Sequence, residues 1–131
     1  MEATACEKRE TKAEELEAAL AQCWCTDNYY VHPFGRMRYT DGVKIMAEVG
    51  GAYWLIDSIA SYQGDKRLRG RRMQEFQLWE LSVKNGAAVL TCRADSDEEP
   101  VITQEIEYTD FPLDYIRLFV EGGVLLLPSE H

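Results

Sequence analysis

Two residues, Asn85-Gly86, set between EFQLWELSV and AAVLTCRA, constrain the fold more than any other feature of this chain. Both flanking runs alternate apolar and polar side chains with a period of two. Asn-Gly is the pair that tolerates the two positive φ angles of a tight hairpin turn. A β-hairpin over roughly 75–94 is therefore expected, and a sheet must exist to receive it. The acidic turn Asp95 to Pro100 follows, and VITQEIEY (Val101 to Tyr108) extends the pattern as a third strand, with Ile102, Ile106 and Tyr108 on one face and Glu105 and Glu107 on the other.

Before the hairpin the period is helical. Thr11, with Glu14 three residues on, reads as the cap of an amphipathic helix running to about Cys23 through Leu16, Ala19 and Leu20. Residues 1–10 carry no period and read as a loose lead-in to a single domain spanning 11–131. Between Trp24 and Thr40, aromatic residues interleave with Asp27, Asn28, Pro33 and Gly35, which suggests a loop with two short strands. Thr40 or Asp41 caps a second helix carrying Val43, Ile45, Met46 and Val49, stopped by Gly50-Gly51. Ala52 to Tyr62 presents Trp54, Leu55, Ile56 and Ile59 on most sides, the pattern of a buried central helix. Gln63 to Arg72 reads as an exposed, mobile connection, a basic loop over 63–73.

After the third strand, Asp110 and Pro112 suggest a helix through Leu113, Ile116, Leu118, Phe119 and Val120 to Gly122-Gly123, and Val124 to Pro128 a short buried strand. The expected class is α+β: an antiparallel β-meander of three to four strands packed against three to four helices in a single domain.

The composition supports a self-sufficient core. With 131 residues, 46% of them hydrophobic, the chain needs neither disulfide nor metal to fold. Its formal net charge of -9 repels phosphate backbones and anionic lipid, so general nucleic-acid or membrane binding is disfavoured and a protein partner with a basic surface is favoured. The polar start and the lack of a long apolar run lead to the expectation of a cytoplasmic protein whose four cysteines are reduced thiols.

The blocks YTDGVKIMAEVGGAYWLIDSIASYQ, EFQLWELSV and QEIEYTDFPLDYIRLFVEGGVLLLPSEH resemble those of a family of small bacterial, plasmid and phage proteins of unknown function, over about Leu20 to His131. The resemblance implies a shared fold and a home in mobile elements, with the arginine-rich segment Lys66 to Arg72 as the variable part. It implies no catalytic residue and no cofactor.

Candidate sites are few. Cys23-x-Cys25 followed by His32, with Cys6 upstream, offers zinc-type donors at unfavourable spacing, and ordinary thiols are the plain alternative. A Cys25-His32 nucleophile pair has no supporting motif. Glu105 and Glu107, with Glu75 or Glu80 across the sheet or with Asp110, could form an acid/base or divalent-metal patch in a small enzyme. Neither glycine pair belongs to a phosphate loop.

The charge distribution is more pronounced. Residues 95–131 hold ten acidic side chains against one basic, Arg117. Asp95, Asp97, Glu98, Glu99, Glu105, Glu107 and Asp110 are the candidate partner-binding set, a surface able to imitate rows of phosphate and enter a basic groove, although an acidic protein can carry such a face merely to stay solvated. Lys66, Arg67, Arg69, Arg71 and Arg72 form a contrary basic set that could touch phosphate locally. The functional expectation is a non-catalytic interaction module of a mobile element, an inhibitor of host defence or nucleic-acid-handling machinery. The alternatives are a small acidic-residue enzyme and an oligomeric scaffold.

Overall fold

The computed structural model of the chain describes residues 5–23 and 25–131, with side chains from Glu10 onward. Helix α1 spans Ala5–Leu20, β1 Tyr29–Val31, β2 Arg38–Thr40, α2 Asp41–Gly50, α3 Tyr53–Tyr62, α4 Arg71–Glu75, β3 Phe76–Lys84, β4 Ala87–Arg93, β5 Ile102–Ile106, β6 Tyr115–Glu121 and β7 Val124–Leu126. Short 3-10 turns occupy Lys66–Leu68 and Pro128–Glu130.

The seven strands form one sheet in the order β1-β2-β7-β6-β3-β4-β5. Every pairing is antiparallel except β2 with β7, so the sheet is mixed and larger than the three- to four-stranded meander the sequence suggests. The α+β class and the single domain stand.

The hairpin is as read from Asn85-Gly86. Asn85 (φ 54°) and Gly86 (φ 77°) both take the left-handed region, and β3 pairs β4 from Lys84↔Ala87 back to Leu78↔Arg93. Helix α2 is also as expected. The Thr40 hydroxyl accepts from the Val43 N–H at 3.3 Å, and Gly51 closes the helix at φ 64°.

The largest departure lies at 110–121. No helix forms there: Phe111 is fully buried and 115–121 is the strand β6, paired over seven residues with Phe76–Ser82 of β3. YIRLFVE alternates buried Ile116, Leu118 and Val120 with outward Tyr115, Arg117 and Phe119, and β3 needs a second neighbour for its N–H and C=O groups. Pairing outweighed the helix signals at both ends. Two smaller departures concern boundaries. α1 begins at Ala5, so Thr11 lies inside it rather than capping it, and it ends at Leu20. Tyr108 lies beyond β5 and is 78% exposed, not on the inner face with Ile102 and Ile106.

One face of the sheet carries Trp79, Leu81, Leu90, Cys92, Leu118, Val120 and Leu125, and the helices close over it with Leu16, Val43, Met46, Leu55, Ile56 and Ile59. α3 buries one face, Leu55, Ile56, Ile59 and Ala60, and exposes Tyr53, Asp57 and Ser61, so it is an amphipathic surface helix rather than the buried central helix its composition suggests. At 0–1% exposure, Leu55, Ile56 and Ile59 each contribute about 1.5–3 kcal/mol of apolar burial. The outer face is half apolar, with Phe76 and Phe119 ring centroids 5.1 Å apart, and half polar around Glu80.

Candidate functional site

Among the described residues β5 pairs only with β4, so it forms one edge of the sheet and presents an open row of backbone donors and acceptors. Ile102 is buried inward and Gln104 accepts from the Tyr62 hydroxyl at 2.8 Å, while Thr103 and Glu105 face out. The acidic turn leading into it is held in shape. Asp95 Oδ1 accepts from the Ser96 N–H at 2.6 Å, the Glu98 N–H donates to Asp95 O at 3.1 Å, and Arg93 Nη1 donates to Glu98 O at 3.1 Å. At the far end, the Thr109 N–H donates to Gly86 O at 2.7 Å and turns the chain back over the hairpin.

Of the seven candidate acids, Glu105 lies in β5, Glu107 and Asp110 follow it, and Asp95, Asp97, Glu98 and Glu99 occupy the turn that leads into it, so they are strung along this edge rather than gathered at one point. Glu98 alone of the seven is neutralised, by Arg72, whose Nη1 donates to Glu98 Oε1 at 2.8 Å and whose Nη2 donates to Oε2. Among the described residues Asp97, Glu99, Glu105, Glu107 and Asp110 form no ion pair. Exposed Val101 and Tyr108 flank the strand at its two ends.

The acid/base patch does not assemble. Glu75 closes α4 and pairs with Arg71 at 3.2 Å. Glu80 faces outward from β3, where Oε1 lies 3.1 Å from Arg93 Nε and Oε2 accepts from the Tyr115 hydroxyl, with Arg117 Nη2 at 3.9 Å. Arg93 Nε is buried and not aligned to donate, so this contact is Coulombic rather than a hydrogen bond. Burial and the bond to Glu80 push the Tyr115 phenol up. Glu105 lies across from Val89, on the row next to Thr103, Thr91 and Glu80, about 10 Å away across β4. The cationic setting of Glu80 and that separation leave no converging carboxylate pair.

The basic segment is part of the fold rather than a loose connection. Leu68 is fully buried, Met73 nearly so, and Asp65 caps the 3-10 turn. Arg67 chelates Asp65 through Nε and Nη2, both at 2.9 Å, which holds that carboxyl well below its usual range. Arg71 and Arg72 have their glutamates, so only Lys66 and Arg69 of the five candidate cations lack an ion pair among the described residues.

His32 is buried at 3% exposure, with both ring nitrogens in use. Nδ1 accepts from the Phe34 N–H at 3.1 Å, which leaves the proton on Nε2 to donate to Asp57 Oδ1 at 2.7 Å. It serves neither as a base for Cys25 nor as a zinc donor in this arrangement. Cys23 donates its thiol to Ala19 O at 3.3 Å, and burial with Glu130 and Asp41 nearby raises its pKa, away from a thiolate ligand. Cys6 lies outside the residues whose side chains are described.

Two features escaped the sequence reading. Asp57 had no local mark as a histidine partner. Glu130 binds groups 88 to 104 residues away: Oε1 accepts from the Thr40 hydroxyl at 2.6 Å, and Oε2 from the Thr26 hydroxyl at 2.8 Å and the Gly42 N–H at 3.3 Å. A carboxylate at the start of α2 complements the helix dipole and ties the C-terminal segment to the β2-α2 junction.

Residues 14–131 match a family of unknown function (DUF6876). No curated protein matches the chain, and no solved structure does. With nearly its whole length matched, the chain belongs to this family of unknown function.

Proposed function

We propose that this protein is a non-catalytic interaction module that receives a basic protein partner along the β5 edge. The observation that carries the reading is the coincidence of an open edge strand with five carboxylates, Asp97, Glu99, Glu105, Glu107 and Asp110, that have no ion pair among the described residues. A partner strand or loop bearing Lys or Arg gains main-chain hydrogen bonds from the edge and charge complementarity from the row beside it. A second copy is disfavoured at the same place, because two acidic edges brought together repel. The proposal extends to a role in a mobile genetic element, with host defence or nucleic-acid-handling machinery as the partner class, because an acidic line can stand in for a phosphate backbone. Among the described residues no helix is long and apolar enough to cross a membrane.

The test is capture from bacterial lysate at low salt, with nuclease present, comparing the native chain with the set Asp97→Lys, Glu99→Lys, Glu105→Lys and Glu107→Lys. Glu98 is spared because its loss would also release Arg72. A stoichiometric basic protein that is lost at high salt and lost with the variant supports the reading. Equal capture by the variant sinks it.

A further inference from the structure

At the end of the sheet opposite β5 the edge is uncharged. Among the described residues β1 pairs only with β2, and residues 28–35 contain no Asp, Glu, Lys or Arg in a chain whose net charge is -9. Large apolar side chains are exposed there in close succession, Tyr29 at 57%, Val31 at 67% and Phe34 at 58%. The backbone of the edge is open as well. The His32 N–H donates to Met37 O at 2.9 Å across the β1-β2 hairpin, and the Arg38 N–H turns away to Gly123 O at 2.9 Å. Bonding alternates along an antiparallel strand, so Tyr30, like His32, points its N–H and C=O at β2, while Tyr29 and Val31 point theirs outward. β1 has no second strand to receive them.

A second copy of the chain fits this edge, and the residues themselves choose the register. Antiparallel pairing of two β1 strands about a two-fold axis can centre on Tyr29, Tyr30 or Val31. Centred on Val31, Tyr29 would face Pro33, which has no N–H. Centred on Tyr29, Val31 would face Asp27, whose N–H already donates to Asp41 Oδ2 at 3.1 Å. Centred on Tyr30, Tyr29 of each copy faces Val31 of the other, and every outward N–H and C=O of both strands finds a partner. Tyr30, stacked on Tyr39 at 5.5 Å beneath Lys44 of α2, then meets its own copy at the axis, so the aromatic row continues from one copy into the other. Charge agrees with this register. Asp27 stands two residues before β1 and comes against the turn 33–36 of the other copy, which carries Arg36. Neither Asp27 nor Arg36 has an ion pair among the described residues. By symmetry the match occurs at both ends of the contact.

We infer that the chain forms a two-fold dimer through β1, which joins the two seven-stranded sheets into one continuous sheet. The strand is three residues long and the contact small, so the dimer is weak and depends on concentration. Two chains of net charge -9 repel at long range, but at about 150 mM salt the screening length is about 8 Å, which leaves the uncharged strands to pair. Pairing also withdraws Tyr29 and Val31 from water and covers an open apolar edge. β5 lies at the other end of the strand order, so the dimer leaves the acidic edge open, and either reading can fail without the other.

The experiment is sedimentation equilibrium of the full-length chain from roughly 10 µM to 1 mM protein at about 150 mM salt, with melting temperatures measured alongside. The variants are Val31→Pro, Val31→Glu, Asp27→Arg, Arg36→Asp and the last two combined. Val31→Pro removes an outward N–H that the fold does not use, which an edge strand tolerates. Val31→Glu keeps the backbone, sits across from Arg38 and serves if the proline variant melts early. The expected result is a monomer-dimer equilibrium, weakened roughly ten-fold or more by either Val31 substitution at an unchanged melting temperature, weakened by Asp27→Arg or Arg36→Asp alone, and restored by the two together. A monomer at every concentration overturns the proposal, as does a dimer that both Val31 substitutions leave intact. Species that keep growing with concentration would mean that β1 pairs with β5 of the next copy in open chains, which overturns the two-fold assignment. A double exchange that restores nothing overturns the register.

Discussion

Arg72 and Glu98, 26 residues apart, form a two-pronged ion pair that fastens the basic segment to the acidic turn. It is the place where the two oppositely charged surfaces of the sequence touch. Both side chains are exposed enough for water and salt to screen the bond, so it adds little to folding. Its effect is on availability: it withdraws one carboxylate from the acidic line. Arg72→Gln should leave the melting temperature almost unchanged while strengthening low-salt capture of a basic partner, and weaker capture would count against the edge as the binding surface.

Ile59 sits at 0% exposure where α3 meets the sheet. Ile59→Ala should lower unfolding stability by about 2–5 kcal/mol, through lost apolar transfer and the cavity left behind. Denaturant titration measures it directly. A loss well below that range would mean that the helix layer collapses into the gap.

Glu130 accepts hydrogen bonds from Thr26, Thr40, Gly42 and the Leu127 N–H. Glu130→Ala should cost about 1–2 kcal/mol, the size of a lost helix cap, since water can replace some of these bonds at the partly exposed site. In a double-mutant cycle with Thr40→Ala the two losses should not add, because the residues share a bond. Additive losses would place the effect elsewhere.

Burial pushes the Cys92 thiol up to about 12 and also raises Cys23, whereas Cys25 is exposed. With Cys6 replaced by Ser, a thiol reagent at neutral pH should modify one cysteine quickly and the other two only on unfolding. A raised thiol pKa means that the unfolded chain ionises first, so the contribution of Cys92 to stability is present below about pH 9 and is lost as pH rises toward 12. Fast labelling of Cys92 in the native state would contradict its place in the core.

Asp65 and Asp41 titrate below their ordinary range. Arg67 holds Asp65 down. For Asp41, burial pushes upward, but the Asn28 and Asp27 N–H groups and the Tyr30 hydroxyl outweigh it. A depressed carboxyl contributes stability above the unfolded pKa, and the contribution fades as pH falls through the folded one. The melting temperature should therefore drop as pH is lowered from about 5 to 2, and Asp65→Asn should make the drop shallower. An identical pH profile for the variant would mean that the Arg67 chelate does not bear on folding.

Several elements were written locally. Asn85-Gly86 determined the hairpin because few pairs accept two positive φ angles, Thr40 and Gly51 bracketed α2, and Leu55, Ile56, Ile59 and Ala60 at helical spacing marked the buried face of α3. The strand β6 was ambiguous. Ile116, Leu118 and Val120 alternate as a strand does, yet Pro112 and Gly122-Gly123 punctuate the segment like a helix, and only the need of β3 for a second hydrogen-bonding neighbour decided between them. β1, β2 and β7, three residues each, were legible as short strands between turn residues, but the parallel pairing of β2 with β7 that joins them into the sheet was not, because it links segments 86 positions apart.

Charge followed the same division. The sequence alone fixed that 95–131 is acidic and that 66–72 is basic. The tertiary structure decided which charges are free. It joined Arg72 to Glu98 and Arg67 to Asp65, enclosed Glu80 among Arg93, Arg117 and Tyr115, left a line of carboxylates on the β5 edge, and brought Arg36 and Arg69 together at Gly64. Periodicity and turn residues act over a few positions and can be read from order along the chain. Ion pairs, sheet edges and clefts depend on which distant residues end up within a few ångströms, and that is settled when the sheet and helices close on one another.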